Sequence, residues 1–349
     1  MLTRQTWAAA VSAVIFVAMA AVLAVSSVPF VAWAPGGTYD VLGQRDGKPV
    51  IGISGIPTFD APGQLRVTTV AVTAADRSLS FPEALLADLL PDREVLPRAA
   101  VYPAGQSVAD IDAANAQAMT SSQQNAIVAA LREADIPVTE RPMVSVIASG
   151  GPAENELEPG DLVVEVDGTE VSTVADVRER VQAHKVGEAV VFSILRDRQS
   201  KLVTVSTQAS NTSPSGSVVG VGWTTGYSYA ADVSINVDSS IGGPSAGLVF
   251  AIGIYDLISS ERVIDDRSIA GTGEIGTDGT VSGIGGIREK ISGAQSAGAT
   301  MFLVPAANCS DVADVRTSMK LVKVASLKDA LAALRLSKTS DADLPSCDG

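Results

Sequence analysis

Two residues stand out by type and setting. Ser245 lies in "IGGPSAGLVFAIGIYDLI" (residues 241–258), where small residues and a proline lead into an apolar run of helical length. A serine there has two readings: a helix N-cap, or a nucleophile whose oxyanion meets the donors of a helix N-terminus. Lys290 lies in "IREKISGAQSAGA" (287–299), where Ile287, Lys290, Ile291 and Ala294 fall at i, i+3, i+4 and i+7, one stripe of a helix. Gly298 stops that helix. A lysine on a core-facing stripe either snorkels to water or loses its hydration, which favours the neutral amine. A neutral amine takes the proton of a serine hydroxyl. The two residues are 45 positions apart.

Other chemistries are narrowed by what surrounds this pair. The single histidine, His184, ends the charged stretch "VRERVQAHKVGE", which reads as a helix end in a different domain. A Ser-His-Asp site therefore lacks its base. One histidine and two cysteines do not build an ordinary zinc site, and no cofactor is expected. Of the eight lysines none follows a serine by three residues, so the S-x-x-K arrangement is absent. "GTGEIG" (271–276) matches a dinucleotide-loop pattern, but turns and a strand follow it instead of a helix; its glycines read as hairpin and bulge positions. No phosphate-binding P-loop occurs.

"GGPSAGL" followed by "GTGEIGTDGTVSGIGGIREKISGA" resembles the proteolytic domain of the Lon family. The resemblance covers roughly 230–335. It implies Ser245 as nucleophile, flanked by Gly243, Pro244 and Ala246, Lys290 as base, and Thr272 as the residue that positions the lysine. It also matches Asn308 in "VPAANCSDV" and implies a hexameric ring. Two departures stand beside it. Gly242 occupies a position that is acidic in Lon proper, and no ATPase module is present, so flexible tails, peptides and unfolded segments are the expected substrates.

The elements that must hold this pair read as follows. The chain of 349 residues is 46% hydrophobic, 18% charged and carries a net charge of −14, which suits sizeable cores and argues against a nucleic-acid partner. Trp7–Val28 is uncharged, with Arg4 before it and Asp40 the next charge; its length favours a retained membrane anchor (1–34) over a cleaved leader, although "AWA" (32–34) resembles a cleavage site. Charge places the N-terminus in the cytoplasm and the rest outside. Residues 35–118 read as a separate α/β segment with a strand at 64–72 and a capping box at Ser80 and Glu83. A further helix is read at 121–134.

Within 119–207, Pro152–Ala153, Leu157, Gly160–Val163, Val166–Gly168 and Val171 resemble a PDZ domain, which implies binding of extended peptides by strand addition. Residues 208–217 read as a linker, 218–337 as the Lon-type domain and 338–349 as a tail. Cys309 and Cys347 form a disulfide if the chain is exported, and are free thiols otherwise. The expected fold is α+β and multidomain: a transmembrane helix, a β-rich PDZ-like domain and an α/β Lon-type domain. In order, these parts resemble the PDZ-containing Lon-like peptidases of Gram-positive bacteria. The expected function is an ATP-independent, membrane-anchored serine endopeptidase of the cell membrane whose catalytic domain faces away from the cytoplasm. A membrane-tethered PDZ adaptor with little or no catalysis is the alternative, and a secreted esterase or amidase a third.

Overall fold

A computed structural model of the chain describes residues 4–210, 216–238, 240–340 and 343–347. Residues 211–215 of the expected linker, and 341–342 and 348–349 of the expected tail, lie outside the described residues. The chain divides into two compact units. One joins residues 1–135 to 231–349, and the other, 136–230, is inserted between those segments.

The first unit begins with helix α1 (Arg4–Val25), which is apolar, unburied and long enough to cross a membrane. A mixed sheet follows. Its strands are β1 (Phe30–Asp40), β2 (Gln64–Val72), β3 (Glu94–Pro97), β4 (Ser268–Gly271), β5 (Met301–Pro305) and β6 (Lys320–Val324). They lie in the order β6-β5-β4-β2-β1-β3 among the described residues. The four strands from β6 to β2 are parallel; β1 runs antiparallel to both β2 and β3. β5 is buried along its whole length, as a central parallel strand must be when both faces are covered.

This unit also contains helices α2 (Phe81–Leu89), α3 (Val108–Glu133), α4 (Gly247–Ile258), α5 (Ile287–Ser296) and α6 (Leu327–Leu336). α2 opens with the capping box of Ser80 and Glu83, and α3 with one formed by Ser107 and Asp110. α4 is almost wholly buried, its Asp256 included, and it packs on α3. "GTGEIG" forms part of a hairpin, Glu274–Ile275 against Val281–Ser282. Cys309 and Cys347 are joined by a disulfide, and the backbone N–H of Lys323 donates to the carbonyl of Pro345, so the C-terminal segment is tied to β6 and to the end of β5.

The unit boundaries differ from the segments read along the chain. β2 lies beside β4 in parallel register, Leu65 opposite Ile269 and Val67 opposite Gly271, so residues 30–135 share the sheet of the C-terminal segment instead of forming a part of their own. α3 starts thirteen residues before the expected helix, because "VADIDAANAQAM" is too polar to show a stripe. Strand Val221–Tyr229, which lies in the expected Lon-type stretch, pairs with Val138–Ile147 and belongs to the second unit. Strand pairing across such separations leaves no local periodicity to read.

The second unit is a sheet of strands Val138–Ile147, Leu162–Val166, Ala189–Arg196, Gln199–Ser206 and Val221–Tyr229, with helix Val174–Ala183 covering a core that includes Val163, Val177, Phe192 and Ile194. Asp167 and Gly168 both have positive φ in the tight turn between Leu162–Val166 and Thr169–Glu170. Asp161 is buried, and Arg196 meets it with two hydrogen bonds of 2.7 Å from Nε and Nη2. Removing one partner of a buried pair strands the other. Arg196→Ala should therefore destabilise this unit by about 3 kcal/mol, read as a lower urea midpoint, whereas Lys201→Ala on an exposed strand position should leave the midpoint within about 0.5 kcal/mol.

Candidate active site

Ser245 sits in the turn that leads into α4. Gly243 takes φ +87° there, and its N–H donates to the carbonyl of Asn115 at 3.1 Å. Ser122 Oγ donates to the carbonyl of Pro244 at 2.8 Å. The turn is thus strapped to α3. On its other side the carbonyl of Ser245 accepts from the N–H of Gly273 at 2.8 Å and from Thr272 Oγ1 at 2.9 Å. The capping reading of Ser245 is corrected: Ala246 is the N-cap of α4, and no side chain caps that helix. The serine hydroxyl is therefore not consumed by the backbone.

Lys290 reaches the same point from α5. That helix starts from Gly286 in a left-handed conformation, φ +69°, and a Cβ at Gly286 would lie 2.5 Å from Val70 Cγ2 of β2. Only glycine satisfies both conditions. The loop before it is held by Asn308, whose Oδ1 accepts from the N–H of Ile284 and whose Nδ2 donates to the carbonyl of Ile284, each at 2.9 Å. Lys290 is 3% exposed. Its Nζ lies 2.8 Å from Ser245 Oγ and 3.1 Å from Thr272 Oγ1. The structure thus brings together Ser245, Lys290 and Thr272 from three separate segments.

Burial holds the Lys290 ammonium down to a pKa of about 8, partly opposed by the neighbouring Glu289 carboxylate. Glu289 is itself buried, and burial pushes its carboxyl up. A polar position by the stripe rule, Glu289 carries no sequence signal of this burial. Asn115 and Ser122 were equally invisible, since nothing local ties α3 to the turn 243–245.

His184 belongs to the second unit, where it ends the helix Val174–Ala183 and its Nε2 lies 2.8 Å from Asp167 Oδ2. At Gly242 a larger side chain would crowd α3. A Cβ at that position would lie 2.8 Å from the Cβ of Asn115. Around the pair opens a cleft of about 930 Å³, walled by Trp33, Val70, Tyr102, Met119, Ile284 and the turn 240–246, with Asp112 and Glu274 as its carboxylates among the lining residues.

Residues 225–336 match the family model of the Lon protease (S16) C-terminal proteolytic domain, and residues 108–207 that of the PDZ domain. The PDZ match begins at the start of α3, whereas the second unit begins at Ile136. Lon protease 1 of Sorangium cellulosum is 43% identical over 108 residues, 29% of this chain and 13% of that protein. Lon protease 2 of Bacillus subtilis is 32% identical over 102 residues, 29% of this chain and 18% of that protein. The chain thus spans less than a fifth of the length of these relatives. Among solved structures, the PDZ domain of an SdrC-like protein from Listeria monocytogenes aligns at 18% identity over 24% of this chain and 86% of its own, with a TM-score of 0.22.

An amine held below its ordinary pKa by burial links folding to pH. Between about pH 8 and pH 10.5 an unfolded lysine keeps a proton that the folded one has lost. Stability therefore rises with pH across that window. Lys290→Met removes both the slope and the cost of a charged amine in this setting. The variant should be at least as stable as the parent at pH 7 and should lack the alkaline gain, as read by urea unfolding at a series of pH values. The chain carries a Lon-type proteolytic domain within residues 225–336, a PDZ-domain match over 108–207 and an N-terminal helix long and apolar enough to cross a membrane.

Proposed function

We propose that this chain is an ATP-independent serine endopeptidase that uses Ser245 as nucleophile and Lys290 as general base. The observation that carries the proposal is the 2.8 Å contact between Lys290 Nζ and Ser245 Oγ in a setting that disfavours the ammonium. Neutral Lys290 takes the Ser245 proton as Oγ attacks the scissile carbonyl carbon. The resulting oxyanion is met by backbone N–H groups at Ser245 and Ala246, at the positive end of α4. Lys290, now an ammonium, gives its proton to the leaving amine. In the second half it takes a proton from water, which attacks the acyl carbonyl, and returns that proton to Ser245 as the acid product departs. Thr272 Oγ1 donates to the Ser245 carbonyl and so turns its lone pairs toward Nζ, which supports a role in aiming the amine.

In this reading α1 spans the cell membrane once and the two units face away from the cytoplasm. The PDZ domain recruits peptides or unfolded segments by strand addition, and Lon-type units associate in a ring. The disulfide suits an oxidising compartment.

Ser245→Ala should abolish peptide cleavage and leave the unfolding midpoint nearly unchanged, because the helix loses no cap. Persistence of parental turnover in purified Ser245→Ala protein would overturn the nucleophile assignment. With a pKa of about 8, about a tenth of Lys290 is neutral at pH 7. The rate should climb roughly tenfold per pH unit below that value and level off above it. Lys290→Arg should be inactive across the range, since guanidinium stays protonated. A limb near pH 6.5 that disappears in His184→Ala would assign the base to the histidine instead. Replacing residues 136–230 by a short linker should impair cleavage of long unfolded chains more than that of a short peptide; equal loss on both would assign the PDZ unit a structural role.

A further inference from the structure

Helix α2 is apolar on two opposite faces. Ala84 and Ala87 are buried on the inner side. By helical period the outer side carries Phe81, Pro82, Leu85, Leu86 and Leu89. The four large side chains are 41%, 49%, 60% and 71% exposed in that order. Glu83 and Asp88 fall at the flanks, and the Glu83 carboxylate is already engaged by Ser80 and Arg77. A surface helix of a soluble domain puts polar residues on this side. A contiguous apolar patch marks an interaction site, where scattered single leucines would not.

The neighbour of this patch identifies its partner. Where α1 ends, Ser27–Val28 pairs with Leu79–Ser80, and the N–H of Phe81 donates to the carbonyl of Ser26 at 3.0 Å. The first residue of α2 is therefore hydrogen-bonded to the residue that follows α1. A bilayer crossed by α1 has its boundary at Ser26–Val28, at the start of α2. We propose that α2 lies in the interfacial layer of the bilayer that α1 spans, with Phe81, Leu85, Leu86 and Leu89 buried at the headgroup–acyl boundary. It thereby holds the first unit against the membrane surface. This rests on α1 being a membrane span. Arg77 is paired with Glu83, and Asp88 is also acidic, so apolar burial and not attraction to anionic lipid supplies the binding.

The test uses the full chain reconstituted in phosphatidylcholine vesicles. Cys309 and Cys347 are bonded to each other, so a single added cysteine takes an environment-sensitive NBD label. Label at Leu86→Cys should emit blue-shifted light and lose intensity to a spin label attached to lipid near the headgroup. Label at Val14→Cys, in the middle of α1, should be quenched by a spin label deep in the acyl region. Adding Leu85→Asp and Leu86→Asp to a chain labelled at Leu89→Cys should return that probe to water-like emission. Water-like emission at Leu86 with a deep Val14 probe would overturn the inference and leave the span standing. Water-like emission at both would overturn the span and the inference with it. A blue-shifted Leu86 probe that ignores lipid spin labels would show the face covered by protein, such as a second copy, and would also overturn it.

Discussion

A primary amine kept out of water 2.8 Å from a serine hydroxyl is the constraint around which the first unit is built. Three segments far apart in the chain must meet at that point. β4 delivers Thr272 at its end, the turn before α4 delivers Ser245, and α5 delivers Lys290 from inside its first turn. Each approach is braced from outside: Asn115 and Ser122 of α3 hold the turn, Val70 of β2 sits where any side chain at Gly286 would fall, and Asn308 holds Ile284. Residues 30–135 are thus structural parts of the site, although the resemblance that pointed to it begins only after residue 230.

Desolvation sets the pH range in which the proposed base would act. An exposed lysine at its ordinary pKa would be almost wholly protonated at pH 7 and useless as a base. Burial lowers the pKa, and the Glu289 carboxylate, itself buried, partly restores the charge. The balance of these two terms sets how much free amine exists.

Much of the site was legible because its signals are local. The stripe Ile287–Lys290–Ile291–Ala294 made one lysine anomalous among eight, and the small residues around Ser245 marked a close-packed turn. The capping box at Ser80 and Glu83 is read from spacing and is present. What remained hidden is non-local. The pairing of β2 with β4 and the membership of α3 in the first unit depend on contacts across the inserted unit, and the assignment of Val221–Tyr229 to the second unit depends on its pairing with Val138–Ile147, far back along the chain. Ser245 was open to a capping role only because the exact start of α4 is a matter of one or two residues, which pattern does not resolve. Gly242 reads along the chain as a departure in chemistry, and on the structure a side chain there would crowd Asn115.

The protonation of Lys290 is the point at which the account is most exposed. With lysine labelled at Cε and Nζ, NMR titration of the full chain resolves its lysines, and the signal missing from Lys290→Met assigns the one of interest. The account predicts that this signal titrates near pH 8, well below the others, and returns toward the ordinary value of about 10.5 on unfolding. A Lys290 that titrates with the surface lysines in the folded protein would contradict it.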